Sequence, residues 1–231
     1  MRRRTPAAPD DPQERTMRTR RLVSALAAAT LAGGAAVALA PSATAAPPPS
    51  GTTSLASVLA ADGSGFDRSW YDFDVVDNAV AAVLAAKPGS PVAVLADGTV
   101  PLTAFLPNDR AFQLLAFDLT HRWYGSEQKA FEAIAGAVGI DAVETVLLYH
   151  VVPGATIDSG TALASDGAAL TTAQGGSFTV DVLSRHLALV RLKDADRNDG
   201  DPFLVRSKLD LNAGNVQIAH GISAVLRPVD L

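Results

Sequence analysis

The chain of 231 residues contains no cysteine. Thiol nucleophiles, thiolate metal sites and disulfides are therefore excluded, so the fold must hold by burial alone. Other signatures of chemistry are missing too. There is no G-x-S-x-G, H-E-x-x-H, P-loop or G-x-G-x-x-G anywhere in the sequence. Ser, His and Asp are present, but without the spacing that would argue a triad. Asp158 and Asp166 lie in a polar loop and need no catalytic explanation. No enzyme and no cofactor is expected. Internal repeats are absent, and no shift in composition marks a second domain.

Positive charge is scarce where a folded domain would be. Seven of the 19 Lys and Arg, but three of the 24 acids, fall in residues 1–45, which leaves 12 basic and 21 acidic residues and a net charge of −9. Nucleic acid is excluded as a partner, because binding it needs a basic footprint.

The N-terminal part reads as an address rather than as fold. Arg18, Arg20 and Arg21 precede an apolar run from Leu22 to Ala40; Pro41 and Ala43-Thr44-Ala45 follow, then Pro47 to Pro49. A basic head, an apolar middle and a small-x-small exit describe a secretory signal peptide. A transmembrane helix is the competing reading of that length, but Ala and Gly dominate the run and a cleavage-like exit ends it. Thr19-Arg20-Arg21-Leu22-Val23 also resembles a twin-arginine signal. Met17 is a candidate initiator, since residues 1–16 are polar and of mixed charge. The expected organisation is an extension and signal over 1–45, a Pro-rich linker over 46–51, and one domain over 52–231. Those last residues suffice for a real core. The mature protein is expected to be exported, free of membrane spans and monomeric. With no sorting motif or lipid-anchor cysteine, release is favoured over wall association.

Helices are expected over Ser54–Ala60, with Ser54 as cap, and over Phe73–Ala86, where Val76, Val80, Val83 and Leu84 share a face. Val92–Leu95 and Thr99–Leu106 read as strands joined by an Asp97-Gly98 hairpin turn. Asn108 caps a helix carrying Phe112 and Leu115, and residues 117–125 read as a loop. Glu127–Val138 is a helix stopped by Gly139. Asp141 caps another, with Glu144 placed as in a capping box. Beyond Pro153 the pattern is β: Phe178–Val182, Leu187–Leu192, Phe203–Leu211, Val216–Ala219 and Ile222–Leu226. Helices first and strands second argue an α+β fold.

Three segments resemble the fasciclin (FAS1) domain family. Thr103-Ala104-Phe105-Leu106-Pro107-Asn108-Asp109-Arg110-Ala111-Phe112 is similar to its T-x-F-x-P-[TN]-x-x-A-F motif. Leu147-Leu148-Tyr149-His150-Val151-Val152-Pro153-Gly154 is similar to its L-x-x-H-x-x-x-G segment with the Tyr-His pair. Asn215 to Pro228, which includes His220, is similar to its closing N-G-x-I-H-x-I-D-x-V-L-x-P strands. Ser223 stands where the family has Asp, Gly214-Asn215 is out of register with the family's Asn-Gly, and residues 117–126 and 193–202 look like insertions. The resemblance, which covers about 52–230, is to a secreted single-domain bacterial member. It implies a β-wedge or sandwich of about seven strands flanked by about five helices. It also implies extracellular adhesion through a protein or glycan, without catalysis.

Candidate sites follow. Val143, Val146, Leu147 and His150 fall on one helical face, which makes His150 a buried, hydrogen-bonded residue and leaves Tyr149 pointing outward. His220, flanked at period two by Ile218 and Ile222, is read as a core histidine. The alternative function is an exported hydrolase or small-ligand carrier using a cleft near His150 and His220. His121, Trp123 and Tyr124 sit on the irregular loop, where aromatics suit protein or sugar contact, or tuck onto the core. Asp194, Asp196, Asn198, Asp199 and Asp201 put oxygen ligands in one acidic turn, a candidate calcium loop. Gly200 is seventh rather than sixth there, so a solvated hairpin turn is the simpler reading.

Overall fold

The computed structural model describes residues 50–230 apart from 62 and 64. The expected extension, signal and residues 46–49 of the linker lie outside the described residues. The described chain is α+β, with six α-helices and six strands in two three-stranded sheets. No helix among the described residues is long and apolar enough to cross a membrane.

Helix α1 (Leu55–Ala61) starts at Ser54, whose hydroxyl accepts the Ser57 N–H. Helix α2 (Asp74–Ala86) is capped from a distance. Asp109 opens α3 (Asp109–Thr120), and its carboxyl accepts the Val75 N–H at 2.8 Å and the Asp74 N–H at 3.3 Å. Asn108 caps α3 itself, accepting the Ala111 N–H at 3.0 Å, as its position after a strand predicts. Helix α4 spans Glu127–Val138 and α5 Ile140–Tyr149, with Gly139 between them at φ 81°. Glu144 forms no capping box. It faces Lys87 and Ser90, which ties α5 to the end of α2.

Strand β1 (Leu102–Pro107) is central in the first sheet, antiparallel to β2 (Val151–Pro153) and parallel to β6 (Gln217–Ile222). The second sheet is the meander β3 (Ala169–Thr171), β4 (Ser177–Ser184) and β5 (Leu189–Lys193). Between β2 and β3, Asp158 caps α6 (Ser159–Ala164), which the sequence pattern did not disclose.

Several expected strands take other forms. Pro91–Ala96 is a 3-10 turn, because Pro91 lacks an N–H and the Ser90 hydroxyl accepts from Val92. Residues 203–211 make isolated bridges at Phe203, Leu204 and Leu211, broken by a 3-10 turn over Arg206–Lys208 and a left-handed Asp210. The two closing strands are the single β6. Residues 117–120 belong to α3, which ends at left-handed His121.

Both faces of β1 are buried, and each face feeds a different core. Leu102, Ala104 and Leu106 pack on the helices together with Val75, Val83, Leu115 and Leu147. Phe105 points the other way, into a core with Tyr149, Phe178, Leu192, Ile222 and Leu226 that joins the two sheets. A run buried on both faces is expected of a strand with a parallel neighbour under helices.

Candidate functional site

The three motif segments converge on Phe105. Its N–H donates to the His150 carbonyl at 2.9 Å, and its register partner in β6 is His220. Its ring meets Phe178 edge-on at 5.1 Å and the His220 ring at 5.8 Å, and Phe178 meets Tyr149 at 6.2 Å. Edge-to-face pairs of this kind add to burial.

The two histidines of this junction are neutral and of opposite tautomer. His150 is the C-cap of α5, directly after its last residue. Its Nδ1–H donates to the Val146 carbonyl at 2.7 Å, and its Nε2 accepts the Leu226 N–H at 2.9 Å. Burial lowers its pKa from 6.5 to about 4. In His220, Nε2–H donates to the Ile157 carbonyl at 2.8 Å while Nδ1 accepts the Asp210 N–H at 3.2 Å. Burial lowers its pKa as well. Neither ring presents a free nitrogen. The apolar cavity that His150 lines with Phe112, Leu115, Ile134 and Leu147 has a volume of about 40 Å³, room for little more than a water.

Tyr149 does not point outward. It is 1 % exposed, and its hydroxyl donates to the Ser177 carbonyl at 2.7 Å, pinning β4 to the end of α5. The helix ends at this residue, so the second core lies where a continuing helix would have placed solvent. Thr103 donates to the Ala155 carbonyl and accepts the Ile157 N–H, both at 2.8 Å. That clip fixes the chain after Pro153 and Gly154, where Gly154 has φ 76°. Pro107 is buried at the end of β1, and Pro228 is half-buried after β6. Ser223, in the family's Asp position, exchanges hydrogen bonds with Phe203 through both backbone and hydroxyl.

The surface face lies elsewhere. The Trp123 indole is 56 % exposed, stacked on Phe117 with centroids 4.6 Å apart and planes 21° apart. The Arg110 guanidinium stands 5.2 Å from the same ring. Tyr124 is half-buried against the helical core, and its carbonyl accepts from Gln113 Nε2 at 2.6 Å. Beside this platform runs a groove of about 300 Å³ lined by Leu114, Phe117, Asp118, Asp194, Asp199 and Arg227.

The acidic turn closes on Arg227. This guanidinium lies 2.8 Å from Asp118 and 3.5 Å from buried Asp196, and contacts Asp199 directly. Asp194 accepts the backbone N–H groups of Arg227 and Asp196, and burial raises its pKa to about 6. Asp201 lies 3.7 Å from Arg191. Four of the five candidate calcium ligands are thus turned to arginines or backbone amides, and the Asn198 N–H itself donates to Asp196. Arg227 was missed in the sequence. Its signal was a lone basic residue straight after an apolar strand.

A family model described as the Fasciclin domain matches residues 78–228. No curated protein matches the chain. Among solved structures, the chain is similar to a FAS1 domain pair from the insect cell adhesion molecule fasciclin I. The identity is 16 % and the TM-score 0.46, over 68 % of this chain and 48 % of that one. The chain therefore spans about half the length of that structure.

Proposed function

The chain belongs to the fasciclin domain family, and from that premise we propose that it is an exported, non-catalytic adhesion module. It engages a protein or glycan outside the cell through the Trp123 face. Export rests on the basic head, apolar run and small-x-small exit of residues 18–45, which leave 52–231 as a monomeric working domain.

The observation that carries the contact face is the Trp123 indole. A large aromatic is costly to leave in water. Here it is held flat on Phe117 beside a cation and a groove, rather than folded into the core. Rigid aromatics with Arg beside them are the usual anchors of protein and sugar contacts. The competing reading, a hydrolase or carrier at His150 and His220, lacks a free imidazole nitrogen and a cavity of substrate size.

The test is a glycan array and an extracellular-protein pull-down, run with the wild type and with Trp123→Ala. Trp123→Ala is expected to lose the captured partner while keeping its melting temperature within a few degrees. Partner capture unchanged in Trp123→Ala would move the contact to another face.

A further inference from the structure

The described residues contain a second group of acids, assembled from parts of the chain far apart in sequence. Asp67 and Asp72 lie on the loop that leads into α2, and Glu127 opens α4. One carboxylate oxygen from each lies within 4.8 Å of the others. That is the span two oxygens reach across a shared ion with bonds of about 2.4 Å.

We propose that Asp67, Asp72 and Glu127 form a calcium site that ties the 66–73 loop to the start of α4. The carrying observation is Glu127. The residue is 0 % exposed, and while its Oε2 accepts the Asp67 N–H at 2.8 Å, its Oε1 is buried without a hydrogen-bond partner. A buried carboxylate oxygen left unpaired is destabilising, so it calls for a positive partner. The carboxylates of Asp67 and Asp72 stand beside it.

The contrast with the acidic turn at 194–201 is direct. There Arg227 and Arg191 supply the positive charge; here three carboxylates are gathered on one another. The α4 N-terminus accounts for an acid at position 127 but gives Oε1 no hydrogen, and Ser126 already caps that helix. Carboxylate oxygens on a loop and a helix start, with Asp67 exposed as the entry, suit calcium. Calcium tolerates irregular coordination of six to eight oxygens, whereas magnesium demands a tight octahedron and keeps its waters. Backbone carbonyls and water would complete the shell. The ion's mechanical effect would reach α3, because Trp70 and Asp72 carbonyls accept the Arg110 and Asp109 N–H groups. Arg110 is the cation beside Trp123, but the site stands whether or not that face binds a partner.

Isothermal titration of the full-length chain with calcium chloride tests the site, with thermal melts in parallel. Binding with a dissociation constant of roughly 0.1–1 mM and a calcium-dependent rise in melting temperature are expected. Glu127→Gln and Asp67→Asn should each weaken binding by about tenfold or more. Asp67 is exposed, so its variant folds even if Glu127→Gln does not. Asp199→Asn in the acidic turn should leave the titration unchanged. The site is overturned if the wild type gives no heat up to about 5 mM calcium, or if Asp67→Asn binds as the wild type does.

Discussion

The Nε2 of His150 accepts the Leu226 N–H at 2.9 Å across 76 residues of chain. This bond joins the last turn of α5 to the segment that follows β6, and the Val146 carbonyl fixes the tautomer that allows it. The Tyr-His pair is therefore a fastening between helices and sheets. Its chemistry is acid-base only in the sense that the fastening fails when the ring is protonated.

Stability should accordingly fall in acid. The unfolded imidazole takes up a proton near pH 6.5, whereas the folded one resists it until about pH 4. The contribution is complete above pH 6.5 and is lost as pH falls toward 4, to a limit of roughly 3 kcal/mol. Urea melts at stepped pH measure it, with His150→Gln as reference to cancel the carboxylates. The wild-type advantage over the variant should shrink between pH 6.5 and 4. A constant gap would mean that the ring does not titrate as its burial demands.

Tyr149→Phe removes a hydroxyl from the Ser177 carbonyl without changing the ring packing. A loss of about 1 kcal/mol is expected. Tyr149→Ala empties the space between α5 and Phe178 and should cost about 3–5 kcal/mol. If both variants melt with the wild type, the ring is not where Ser177 and Phe178 hold it.

Gly98 was read as half of a hairpin turn, and the structure gives it another reason. A Cβ there would lie 1.9 Å from the Thr52 carbonyl oxygen, so the N-terminal segment passes where a side chain would stand. Asp97 and Val94 in the same turn accept from Gln217 Nε2, whose Oε1 takes the Leu55 N–H. Gly98→Ala should lower stability by roughly 2 kcal/mol or more by pushing residues 52–54 off the domain. Faster proteolysis ahead of α1 is the second readout; resistance equal to the wild type would count against it.

Much of this fold was legible because local rules and tertiary demands agree in it. Asn108 follows an apolar strand and caps the next helix, and Gly139 separates α4 from α5. The buried character of His150 and His220 was visible in their spacing. What escaped were features set by distant partners. Tyr149 was placed outward because a helical wheel assumes one core, whereas β1 separates two. Val92–Leu95 has strand composition, but Pro91 and Ser90 wind it into a 3-10 turn. Asp67, Asp72 and Glu127 have no shared spacing at all, so no pattern could gather them. The acidic turn advertised itself as a cation loop because its counter-charge, Arg227, lies 26 residues beyond Asp201.

Arg227 therefore decides how that turn behaves. Its guanidinium is largely buried and faces Asp118, Asp196 and Asp199. Asp118 and Asp199 reach solvent and can be hydrated once the arginine is gone, but Asp196 cannot, since its side chain is 1 % exposed. Arg227→Met keeps the buried stem and strands that one carboxylate, so a loss of about 3 kcal/mol is expected. Adding Asp196→Asn to the variant removes the stranded charge and should recover at least about half of the loss. Chemical denaturation of the two single variants and the double variant measures the coupling. Strict additivity would show that Arg227 and Asp196 do not sense each other, and that the turn is held by its backbone bonds to Asp194 instead.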